Sequence, residues 1–487
     1  RGTISATLGT VSLAAGNTFT VDLYGDGLVK LAVTDPVTVA ALGEGQALVQ
    51  NSGVIKADGG KVLLTANAAR GVVDSVINMT GVVQARRVTQ QADGTIILDG
   101  GQNGTVNVAG TIDASAPNAG VDAGKITVTG EKVRIAGTAQ IKATAQEGRG
   151  GTIKIGGDYQ GKGETRQAQI VTVDAGALIN ASAIDKGDGG TVVVWSTDTT
   201  TFNGIIMAKG GQYAGNGGLV ETSGHYLGIG STAVVDVSAP AGRGGTWLLD
   251  PVSITVIAGA GTCVDVASCN AAAGAQTVDD NVIETALAGG DVTLTATGFI
   301  QIDEAVSWAS NKSLTLNAPT VTFNAAVTAT NNSANLIFGT TVSTVNLGAP
   351  LTIGNSPTDI VVNSVVLATV NVLNNTASIQ QGINIVNSGG TVNVASGTYA
   401  ENLSITKNLS LLGNPTTAAG TVTVWSDSEG IAPNRRLGAD DSEAIGSSCR
   451  RRSMSVIFLT ALMVSGRVAA SFLPGAWPDT AAAGRAC

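Results

Sequence analysis

LINASAIDKGDGGTVVVWS (178–196), followed by IIMAKGGQYAGNGGLVETSG (205–224) and VVDVSAPAGRGGTWLLDP (234–251), is the part of the chain that decides the fold. Each piece carries two alternating apolar positions, a turn of small residues, a Gly-Gly pair and a second alternating strand. Working outward, the unit recurs as VIKADGGKVLLTA (54–66), TIDASAPNAGVDAGKITVTG (111–130) and QIKATAQEGRGGTIKIGG (140–157). Gly-Gly pairs beginning at 150, 189, 217 and 244 lie 39, 28 and 27 residues apart. Matching strands at irregular spacing favour a solenoid over a sandwich or barrel, because stacked coils tolerate insertions between equivalent strands. The expectation is an all-β parallel β-helix of roughly 20 to 25 residues and about 4.8 Å per coil. Glycine at the turns is expected both to supply positive φ and to let coils approach closely. Inward candidates are Ile153, Ile155, Val192, Val194 and Val234, the last facing opposite to Val235 and Val237; Thr, Ser and Asn should line the outside.

Composition agrees with thin β layers. Gly is 65 of 487 residues, aromatics are 3% and charged residues 13%, with 43% hydrophobic content. That excludes a polar disordered chain, and the lack of a three-residue Gly period excludes collagen. With a net charge of −9 and no basic stripe through the first 425 residues, nucleic acid is not an expected partner. Four cysteines are too few to staple the fold; Cys263 and Cys269 could close a small loop or remain free thiols.

Two segments read as short helices capping exposed coil ends, VDDNVIETALAGG (278–290) and NTASIQQGINIVNSGG (375–390). The organisation expected is a β-helix over 1–256, an insertion with a helix over 257–300, further strand repeats over 301–374, and a second β-helix start over 375–425. Residues 426–487 break the pattern: they hold seven Arg and no Lys, and Cys449 and Cys487. A disordered or frame-shifted tail is expected there, or else an arginine-rich anchor; the apolar run 456–466 is too short to span a bilayer. Opening in mid-pattern, the chain reads as a fragment of something longer.

GGTVVVWSTDTTTFNGIIMAKGGQYAGNGGLVETSGHYLGIG (189–230) and VDVSAPAGRGGTWLLDPVSITV (235–256) resemble filamentous-haemagglutinin-type exoproteins of two-partner secretion, most specifically at GTWLLDP (245–251). The likeness extends over roughly 1–330, through ALVQNSGVIKADGGKVLLTANAARGVVDSVINMTGVV (47–83) and GGTIKIGGDYQGKG (150–163). It implies a right-handed β-helical adhesin of Gram-negative bacteria, passed through an outer-membrane barrel transporter to the cell surface. The family's amino-terminal secretion domain, with its signal peptide and Asn-Pro-Asn motifs, is not among these residues. Separately, IQQGINIVNSGGTVNVASGTYAENLSITKNLSLLG (379–413) resembles the opening coils of pectin-lyase-like β-helices.

Catalytic chemistry is not expected. His225 is the single histidine, so a Ser-His-Asp triad would have to use it, and it reads as a surface turn residue. Cys263 and Cys269 lack zinc spacing. The serious candidates are carboxylates, Asp185, Asp188, Glu221, Asp236 and Asp250, with Asp279–Asp280 in the expected helix and Asp440–Asp441 in the tail. Glycosidase chemistry needs two carboxylates at a fixed separation, whereas these acids are read as turn residues. DKGDGG (185–190) lacks the further ligands of a calcium loop, and GNGG and GRGG lack the Lys of a phosphate cradle. Trp195 and Trp247 read as coil-stacking side chains more than as sugar platforms. No catalytic, cofactor or metal residue is therefore assigned. The expected function is non-catalytic attachment to host or neighbouring-cell glycans or proteins, with 257–300 as the preferred place for a specific insertion. A polysaccharide lyase or hydrolase of β-helix type, centred on 376–424, is the alternative.

Overall fold

The computed structural model describes residues 2–22, 30–38, 47–70, 72, 75–259, 276–413, 422–426 and 452–456. Cys263, Cys269, Cys449, Cys487, Asp440, Asp441 and nearly all of the apolar run 456–466 lie outside them. The chain forms two compact units, Arg1–Leu367 and Ala368–Cys487.

In the first unit the chain is a parallel β-helix. Residues such as Thr191, Leu219 and Thr246 pair in register from coil to coil, as do Val192, Val220 and Trp247. One inward column runs Val62, Ile96, Ile126, Ile153, Val192, Val220, Trp247, Val292, Leu314 and Leu336, every member fully buried. Period-two alternation puts every second side chain into this column, and each such burial stabilises by about 1.5–3 kcal/mol. A second face stacks eight strands from Thr3–Ser5 to Val234–Asp236 in parallel.

Ile153, Ile155, Val192 and Val194 point inward as expected, but Val234 does not. Val235 in that strand and Val237 just after it are the buried residues, so the expected facing was inverted by one position. The outer ladders also differ from a Thr, Ser and Asn surface, for they include Lys61, Leu63, Ile97 and Lys125.

Coils are longer than expected in the first part and as expected later. Leu219 stacks on Thr191, 28 residues earlier (219 − 191), whereas Asn335 stacks on Ser313 after only 22 (335 − 313). The surplus is an extra edge, seen in the short strands Ala116–Ala119, Ala145–Glu147 and Ala183–Lys186.

Both expected uses of glycine occur, at different positions. Positive φ is found at Gly59 and at the turn glycines Gly187 and Gly215, whereas the pairs beginning at 150, 189, 217 and 244 have none and mark close backbone approach. A Cβ on Gly190 would lie 2.0 Å from Gly151 O, one on Gly218 2.0 Å from Gly190 O, and one on Gly245 2.0 Å from Gly218 O. Only a hydrogen fits between successive coils there.

Helix Asp280–Leu287 forms where expected, with the Asp279 side chain accepting from Asn281 N–H at its start. It does not cap a coil end. Strand Thr246–Leu249 pairs with Asp291–Thr295 across it, and the helix packs against both Val234–Asp236 and Val306–Trp308. It thus stands in for a strand within the stack. Strand Thr277–Asp279 is laid down out of order, between Leu219–Ile229 and Ile254–Ile257, the latter then pairing with Phe299–Ile302. One antiparallel hairpin, Thr18–Asp22 with Lys30–Asp35, interrupts the parallel scheme.

The second unit stacks Thr369–Val372, Thr391–Val394 and Ser410–Gly413 in parallel register. Helix Ile379–Ile385 is framed by the following coil. Glu401 accepts from Ile379 N–H (2.8 Å) and Gln380 N–H (2.9 Å), and Lys407 Nζ donates to Asn384 O (2.7 Å) and Val386 O at the other end. Strand Arg452–Val456, within the expected tail, pairs antiparallel with Val422–Ser426.

Candidate functional site: a strap over a buried carboxylate

The outward column Lys154, Val193, Glu221, Leu248 should face water, yet its last three members are buried. Their cover comes from the long coil between Gly150 and Gly189. Between strands Thr152–Ile155 and Ile170–Val173 the chain leaves the helix as a strap, residues 156–169, and lies across the outer face. Trp195 is its footing: a Cβ on Gly157 would sit 2.8 Å, and one on Gly161 2.4 Å, from the indole. Glycine at these positions therefore lets the strap lie flat on the ring.

At the strap's crest Gln160 adopts φ 54°, ψ 26°, a left-handed conformation uncommon outside glycine. Its N–H points at the Glu221 carboxyl, 2.9 Å from one oxygen and 3.1 Å from the other. The strap's base is tied by the Lys154–Asp158 ion pair, Asp158 accepting from Thr165 N–H (2.8 Å), Thr129 Oγ1 donating to Arg166 O (2.6 Å), and Arg166 with Asp99 at 3.4 Å.

Glu221 is fully buried. Burial pushes its carboxyl up to about 7, and the negative Asp250 from the next coil adds to the rise. The Gln160 N–H, the Ser223 hydroxyl and Lys162 pull the other way and do not overcome it. Burial likewise raises Asp250, opposed by Lys162. The Tyr159 phenol is raised by burial and by both acids. Ser223 Oγ, fully buried, has no partner at ordinary hydrogen-bond distance.

The other candidates are coil-to-coil fasteners. Asp185 accepts from Gln146 Nε2 (2.7 Å), and Asp188 from Asn216 N–H (2.7 Å). Burial pushes the Asp236 carboxyl up, but Ser238 and Lys209 outweigh it and hold it below the usual range. Contrary to a turn assignment, Glu221, Asp185 and Asp236 lie within strands; Asp188 and Asp250 lie outside them. Asp279 ends a strand and caps the helix that Asp280 begins. His225 is exposed, its ring edge-on to Tyr226 at 4.6 Å. Trp247 is inside the coil, donating through Nε1 to Thr222 Oγ1 at 2.9 Å, which satisfies a hydroxyl standing in an otherwise aliphatic column.

Thus Glu221 and Asp250 are brought together, while Asp185, Asp188 and Asp236 are not part of that cluster. Tyr159, Gln160 and Lys162 were missed from sequence. Their signal was present in the 39-residue gap between Gly150 and Gly189, against 28 and 27 for the next two. Among the described residues no group of three or more His, Cys, Asp or Glu side chains could hold a metal ion, and no helix is long and apolar enough to cross a membrane. Neither the models of known protein families nor the curated proteins contain a match to this chain.

Proposed function

We propose that the chain is a length of shaft from a large secreted, surface-associated filamentous adhesin, which attaches to cells or glycans without catalysis. The observation that carries this reading is the in-register outer column Thr95, Lys125, Thr152, Thr191. Such a column repeats similar polar groups at the coil spacing of about 4.8 Å. Repeated weak contacts of that kind give avidity when many are engaged at once. The resemblance of 189–256 to filamentous-haemagglutinin-type exoproteins supports the same reading, and with it export through an outer-membrane barrel transporter and residence at the bacterial surface.

Display of the full chain on beads, against arrays of glycans and intact cells, tests the proposal. Saturable binding is expected, stronger for the bead-displayed form than for the free chain. Absence of binding in both formats would refute it. The alternative, a β-helix polysaccharide lyase or hydrolase, draws on the raised carboxyls of Glu221 and Asp250. Against it, Glu221 is covered and its oxygens are engaged by Gln160. Release of new chain ends from pectic or other polysaccharides, lost in E221Q, would favour the enzyme.

A further inference from the structure

At its crest the strap rests on the Trp195 ring through Gly161 and is hydrogen-bonded to one ionisable group through Gln160 N–H. Around Gln160 the backbone is in a conformation that non-glycine residues keep only when something outside the segment holds it. That something is the Glu221 carboxyl, reached from 61 positions away in sequence. The charged and titratable groups facing Glu221 are Asp250 from the following coil and Lys162 and Tyr159 from the strap itself. Lys154 and Asp158, which could otherwise intervene, are paired with each other at the base.

We propose that residues 156–169 form a pH-operated strap, latched over the outer face when Glu221 carries its proton and loosened when Glu221 ionises beneath it.

The direction follows from solvation. With the strap closed, an ionised Glu221 would be a buried charge beside a second carboxylate, with Lys162 only partly compensating. With the strap lifted, water reaches the carboxylate and the charge costs little. The Ser223 hydroxyl favours the ionised form and so opposes this direction, without overcoming burial. A group whose closed-state pKa lies above its open-state value binds protons more tightly when closed, so rising pH drives opening. The window runs from the ordinary 4.5 to about 7. Opening would uncover the Trp195 ring together with Glu221 and Asp250, changing what the outer face presents.

Amide hydrogen exchange on the full chain, corrected for intrinsic rates, reads the strap directly at Gln160, Gly161, Lys162 and Thr165. Between about pH 5.5 and about pH 8.5 the corrected opening constant is expected to rise on the order of 30-fold, while amides of strand Leu219–Ile229 stay protected. In E221Q the rise should shrink to the part contributed by Asp250, which opening also uncovers, and in E221Q combined with D250N it should vanish. If E221Q lowers protection in strand Leu219–Ile229, Glu221→Met, matched to its buried neighbours Val193 and Leu248, provides the same non-titrating comparison. A flat wild-type profile, a slope undiminished in E221Q or E221M, or one that persists when both carboxyls are replaced, would overturn the proposal.

Discussion

The stacking at the Gly-Gly turns can be tested by adding one methyl group. In Gly218→Ala the new Cβ would lie 2.0 Å from Gly190 O and 2.8 Å from Gly189 C, both backbone atoms. Relief requires the two coils to part by roughly 1 Å, since carbon and oxygen do not approach much below ~3 Å. The same Gly190 carbonyl accepts the Leu219 N–H at 3.0 Å, so parting weakens that bond. Overpacking of this kind costs about 1–3 kcal/mol and the hydrogen bond about 0.5–1.5 kcal/mol. Restriction of the unfolded chain by alanine returns only about 0.4–1 kcal/mol. A net loss of about 2 kcal/mol is expected. Gly2→Ala is the control, because nothing lies within 4 Å of its Cβ and its φ is not left-handed; it should change stability by less than about 0.5 kcal/mol. Urea unfolding by far-UV circular dichroism supplies the comparison, with hydrogen exchange at 191–196 and 219–224 locating the damage. Unfolding of G218A within about 0.5 kcal/mol of the parent would refute the close-approach argument.

Facing is tested by a neighbouring pair: V235T should cost about 1–3 kcal/mol by burying a hydroxyl, whereas V234T should be nearly neutral, both read by urea midpoint. Trp247→Ala empties a fully buried site and strands the Thr222 hydroxyl, so a loss of about 3–5 kcal/mol in the same measurement is expected. Removing the helix cap in Asp279→Ala should cost about 1 kcal/mol and raise exchange in the first turn of Asp280–Leu287.

Much of the first unit could be read from residue pattern because a β-helix writes its stacking into the chain. Ile153 and Ile155 alternate with Thr152 and Lys154, and Gly-Gly pairs recur at the coil contacts of 150–151, 189–190, 217–218 and 244–245. The inversion at Val234 went against the pattern: both faces of VVDV offer valine, but Asp236 shares the face of Val234, so period two already turns Val235 and Val237 inward. The strap was hidden for a different reason. Its grip on the outer face depends on Glu221 meeting Gln160 across 61 residues, and no local spacing encodes a contact that two separate coils create. Likewise, Glu221 in a run next to Gly looks like a turn acid; its place as third residue of an 11-residue strand only follows once the coil wraps its corner without a break.

Strand Thr277–Asp279 sets a condition on how this molecule can be assembled. A simple solenoid can zip from one end, each new segment templated by the one just finished. Here Ile254–Ile257 finds its earlier-side neighbour in a segment synthesised after it. Growth from the amino end therefore halts at this point on one face until some twenty further residues have emerged and doubled back. The halt is a built-in checkpoint: everything ahead of it can be complete while everything behind it waits, so a chain cut between 258 and 276 should leave a finished first portion and an unfinished second one.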